Sequence, residues 1–110
     1  MAAKNISQAI ETIWELIESL EQAYWASSSL QAKDAFTNLL QCLFREYIEL
    51  QKLSVQDHHF EYEVVSSHPD LLFGLCQNMR NRLDDLLELS QLKMQLVEQL
   101  GEFTLAISRK

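Results

Sequence analysis

With 110 residues the chain is sized for one domain spanning 1–110, and its 47% apolar content excludes a disordered polymer. Two glycines and one proline exclude an all-β fold, which uses turn residues at every corner, and leave few, long helices. Sixteen acids against nine bases give a net charge of −7, which repels nucleic-acid backbones; no Lys/Arg cluster offers a phosphate site.

The first helix is expected over residues 5–25. Ile6, Ile10, Ile13, Ile17, Leu20 and Tyr24 recur at steps of four and three, the spacing of one helix face. Asn5 or Ser7 can cap its start, and the serines at 27–29 can end it. Trp14 and Trp25 stand off this stripe. Eleven residues separate them, so they share one azimuth to within about 20°. Glu11, Glu18 and Glu21 lie on the same arc. Most large aromatics are buried, so cover of this ridge by another helix or a second copy is one reading. Tryptophan is also enriched at interface hot spots, which makes the indoles rimmed by acids the candidate partner-binding surface.

The second helix is expected over residues 30–53, with Ser29 as its cap. Phe36, Leu40, Leu43, Tyr47 and Leu50 form its spine. Ala32, Ala35, Leu39, Phe44 and Leu53 widen the apolar face to roughly 200°, which requires cover from two sides.

Residues 54–66 break the helical rhythm. His59 to Val64 alternate apolar and polar with period two, which predicts a short extended segment.

A third helix is expected to begin at a Ser67 cap, with Pro69 in its first turn and the Asp70 carboxylate three residues after the cap. Leu72, Cys76, Met79, Leu83 and Leu86 carry its stripe, and Leu89, Leu92, Leu96, Leu100, Phe103 and Ile107 continue it at a rotated azimuth. Read as one helix to Ile107, it is about 60 Å long, the rotation being absorbed by supercoiling; Gly101 offers an earlier end. The fold class is therefore all-α: three long amphipathic helices in an up-down bundle, completed by dimerisation. Leu92, Leu96, Leu100 and Phe103 are the expected dimer interface, because two neighbours in one chain do not cover so much apolar surface.

Catalytic chemistry has few candidates. Glu15-x-x-Glu18 and Glu46-x-x-Glu49 place paired carboxylates at one-turn spacing on the first two helices. This spacing resembles the all-α MazG-like nucleotide pyrophosphohydrolases, which carry Glu-x-x-Glu on one helix and Glu-x-x-Asp on the next. The likeness covers those four positions, with Glu49 where that family has aspartate. It implies an alternative function: Mg²⁺-dependent nucleotide hydrolysis, with Glu15, Glu18, Glu46 and Glu49 as metal ligands. Arg80-Asn81 is similar to the Arg-Asn pair of the HEPN ribonucleases, but Asp85 stands where they need histidine. His58, His59 and His68 have neither Glu-x-x-His nor His-x-x-x-His spacing and read as loop residues.

Cys42 and Cys76 lie in apolar helical stretches without Cys-x-x-Cys spacing and read as small buried hydrophobes in a reducing cytoplasm. No secretory leader is read at the start, and no run reaches the roughly 18 apolar residues of a membrane span. The expected function is that of a small acidic cytoplasmic interaction module. It would act as adaptor, regulator or chaperone through helix faces, as a homodimer, with another protein as partner, no catalytic or metal residues and no cofactor.

Overall fold

The computed structural model describes residues 4–66, 68–86 and 90–107, and four helices account for most of them. They are α1 (Ile6–Ala26), α2 (Leu30–Gln51), α3 (Pro69–Leu86) and α4 (Ser90–Ile107).

Local sequence chemistry sets most of the boundaries. Asn5 caps α1 through a reciprocal pair: its Oδ1 accepts from the Gln8 amide at 2.8 Å, and Gln8 Oε1 accepts from the Asn5 amide at 3.0 Å. The Ser29 hydroxyl accepts from the Ala32 amide at 3.0 Å and starts α2. Pro69 opens α3, where its missing N–H costs nothing. The expected Ser67 cap lies outside the described residues.

The expectation of three long helices is corrected to four. In place of one helix from Pro69 to Ile107 there are two, α3 and α4. Lys93 reaches back to Asp84 at 3.4 Å, and the Arg80 guanidinium lies over Gly101, so α3 and α4 run antiparallel. Gly101 sits inside α4 and does not end it. The longest extent of the molecule is 43 Å, too short for a helix of about 60 Å. The rotation of the apolar stripe between Leu86 and Leu92 therefore marks two helices with separate buried faces, not one supercoiled helix.

The four helices alternate in direction, each packs on its neighbour in sequence, and α4 returns to α1. The Gln95 side-chain amide donates to the Ser19 hydroxyl at 2.8 Å and fixes the height of α4 against α1. Ile13, Leu16, Ile17 and Leu20 of α1, Phe36, Leu39 and Leu43 of α2, Leu72 and Leu83 of α3, and Leu96, Leu100 and Phe103 of α4 share one dry core. Within the chain, α1 packs on one side of the wide α2 face and α3 on the other, with Phe44 and Tyr47 left half-buried.

The connection between α2 and α3 forms a strap across one end of the bundle. After a 3₁₀ turn at Val55–Asp57, Asn5 and Glu61 pair as an isolated antiparallel bridge. The extended segment expected from the alternation is thus present as a single bridge, with Tyr62 turned in and Phe60 turned out. The strap also completes the start of α1, whose first amides have no partners within the helix. The Phe60 carbonyl accepts from the Ile6 amide at 2.9 Å and the His58 carbonyl from the Ser7 amide at 3.0 Å.

Candidate functional site

Among the described residues, two departures from the ordinary pattern of apolar inside and polar outside stand as candidate sites. The first is the outer face shared by α1 and α2. Trp14 is 41% exposed and Trp25 is 78% exposed. The Trp14 ring meets Tyr47 of α2, with centroids 5.2 Å apart, and keeps its outer side in solvent. Trp25 stands edge-on to Tyr24 at 5.1 Å. On α2, Phe44 and Tyr47 are half-buried, while Ile48 and Leu30 are exposed. The ridge read in α1 is thus one edge of a broader apolar face, and the α2 contribution was missed. Periodicity places Tyr47 and Phe44 on the apolar side of α2, but not whether a neighbouring helix covers them.

The charge of this face is one-sided on α1, which contains Glu11, Glu15, Glu18 and Glu21 and no lysine or arginine. All four glutamates are exposed. Among the described residues none of them is held in an ion pair. Lys33 of α2 sits at the Trp25 end. Its Nζ donates to the Tyr24 carbonyl at 2.8 Å and lies 4.4 Å from the Tyr24 ring centroid and 5.7 Å from that of Trp25. A cation here satisfies a helix-terminal carbonyl and two aromatic quadrupoles together.

The residues expected at a dimer seam lie elsewhere. Leu92, Leu96, Leu100 and Phe103 are buried inside the single chain, against α1 and the strap. This corrects the expected interface: turning α4 back on the bundle gives those side chains a cover from their own molecule. The exposed side of α4 carries Met94 and Leu105 instead.

The second departure is Glu46, which has no exposed surface although it sits inside α2, in its C-terminal third. Its carboxylate is closed by neutral donors. Tyr62 Oη donates to Oε2 at 2.6 Å, Ser66 Oγ to Oε1 at 2.6 Å, the Ser66 amide to Oε1 at 2.9 Å, and the Val65 amide to Oε2 at 3.0 Å. Burial, and next to it the Glu46 carboxylate, hold the Tyr62 phenol well above its ordinary range. Glu46 thus anchors the far end of the strap. Its place on the apolar flank of α2 was the signal in the sequence; its partners, sixteen to twenty positions on, were not visible there.

This arrangement does not bring the MazG-like ligand set together. Glu15 and Glu18 face solvent on α1, Glu49 pairs with Lys52 at 3.1 Å, and the Glu46 oxygens are already occupied by donors. Among the described residues no three His, Cys, Asp or Glu side chains gather as metal ligands would. Of the histidines, His59 packs on Phe60 and His68 lies in solvent 3.9 Å from Asp70. His58 Nε2 is buried without a partner among the described residues.

Cys76 is buried and Cys42 half-buried, both as free thiols. Burial, with a smaller contribution from Cys42, pushes the Cys76 thiol up to about 12.

No protein-family model, curated protein or solved structure matches this chain. Among the described residues no helix is long and apolar enough to cross a membrane.

Proposed function

We propose that this chain is a protein-interaction module, an adaptor, regulator or chaperone that docks another protein on its α1–α2 face and performs no catalysis. One observation carries the reading: two tryptophans on one azimuth of α1 stay in solvent although the bundle has a complete core of its own. Indole is costly to leave in water and supplies much of the affinity at interface centres, so its exposure in pairs favours a covered state with a partner. The free thiols suit a reducing compartment such as the cytoplasm. A homodimer is not needed to cover the apolar stripes, because α4 covers them.

The test is the Trp14→Ala/Trp25→Ala variant. It should stay folded and lose no more than about 2–3 kcal/mol, mostly from Trp14, whose inner side packs on Tyr47, since neither indole fills the core. Captured partners should be lost from it in affinity purification from the native cell, compared quantitatively with the wild type. A variant that folds and retains every captured protein refutes the docking face.

A further inference from the structure

We infer that the occupant of the α1–α2 face is a lysine- or arginine-rich amphipathic helix of another protein; this rests on the docking reading above and adds the partner's chemistry. Three observations carry it. First, the charge along α1 is complementary to a base, while the bases Lys33 and Arg45 lie on α2. Four exposed glutamates on α1 have no ion pair among the described residues, and three of them, Glu11, Glu18 and Glu21, share the arc of the indoles. A second copy would set these acids against their own kind, and an anionic lipid surface would meet the same repulsion.

Second, the face has helical spacing. Trp14 and Trp25 stand about three turns apart on one azimuth, so a helix laid along α1 meets both indoles with apolar residues from one of its own faces. Residues flanking that apolar stripe then fall beside Glu11, Glu18 and Glu21. Third, the chain already shows how its aromatic corner receives a cation. Lys33 occupies the inner side of the Tyr24–Trp25 pair, and the indole beyond it stays open to a second cation from outside. A guanidinium stacked there, with its flanking bases near the glutamates, would be held by both cation–π attraction and charge.

The experiment uses the full chain and a defined probe: an 18-residue amphipathic peptide of leucine and lysine, titrated while tryptophan emission is followed. The same peptide with glutamate for lysine, and vesicles of phosphatidylcholine with phosphatidylglycerol, are run beside it. The expected result is a saturable blue shift with the lysine peptide alone, weakening several-fold as salt is raised past the screening range. Glu11→Gln/Glu18→Gln/Glu21→Gln should fold normally, bind the lysine peptide at least several-fold more weakly and lose most of the salt dependence. Trp25→Ala should weaken binding as seen by calorimetry.

Absence of binding by the lysine peptide overturns the inference. So does equal binding by the Trp14→Ala/Trp25→Ala variant, which would show charge attraction without the face. A shift with vesicles but not with the peptide would assign the face to lipid. If native partners are lost from the tryptophan variant while the lysine peptide does not bind, the docking face stands and its basic occupant is overturned.

Discussion

The Tyr62 hydroxyl donates to Glu46 Oε2 across 2.6 Å, joining side chains sixteen positions apart and tying the strap to the C-terminal third of α2. The Tyr62 ring lies stacked near Phe103 of α4, with centroids 6.4 Å apart, so one residue links the strap to two helices. A carboxylate buried without a cation is costly unless charge-assisted hydrogen bonds replace its water, and here four donors do so.

Glu46→Ala should therefore lose about 3–5 kcal/mol, because it leaves two hydroxyls and two amides facing an empty site. Tyr62→Phe keeps the ring and should lose about 1–2 kcal/mol. The double variant should lose less than the sum, as expected for groups in one network. Chemical denaturation measures the losses. Hydrogen exchange at the Val65 and Ser66 amides should accelerate in Glu46→Ala before the helices open.

The thiol of Cys76 makes stability fall in alkali. An unfolded thiol ionises near 9 and the folded one holds its proton to about 12, so between these values the unfolded state binds fewer protons. Stability from this group is complete below about 9 and declines as pH rises towards 12, by up to about 1.4 kcal/mol per unit. The raised Tyr62 phenol has the same sign and adds to the decline above about 10. Urea melts from pH 8 to 11 should show the slope, and Cys76→Ala should flatten it. In native protein at neutral pH, a thiol reagent should label Cys42 before Cys76, following their exposure.

Gly74 lies inside α3, and a Cβ there meets nothing within 4 Å. Gly74→Ala should stabilise by about 1 kcal/mol, raising the Tm by about 4 °C, because alanine loses less backbone entropy in a helix. At Gly101 the added Cβ would stand 3.2 Å from the Arg80 guanidinium, the mobile end of a long side chain. Gly101→Ala should give a smaller gain as Arg80 swings aside. A loss of more than 1 kcal/mol at Gly101 would mean that the α3–α4 approach depends on its bare backbone.

Leu100 distinguishes core from interface. Leu100→Ala should cost about 2–5 kcal/mol and leave the sedimenting mass unchanged, since the side chain is buried within its own chain. A fall in mass with stability preserved would restore Leu92, Leu96, Leu100 and Phe103 to a subunit seam.

What the sequence alone determined is the helical content and most helix boundaries. Apolar spacing and caps act over one or two turns, so Ile6, Ile13 and Leu20 announce a helix, and Asn5 and Ser29 announce its beginnings, without knowledge of distant residues. The exposure of the two tryptophans was legible only as an azimuth: their place off the stripe is local, but whether another helix covers them is not. Tertiary structure decided the rest. A rotated stripe after Leu86 is compatible with one supercoiled helix or two antiparallel ones, and only the fit of Leu96, Leu100 and Phe103 against α1 and Tyr62 selects the second. In the same way the place of Glu46 on the apolar flank of α2 is legible locally, but its burial is decided by the strap, because the donors that make it tolerable come from a segment with no helical pattern of its own.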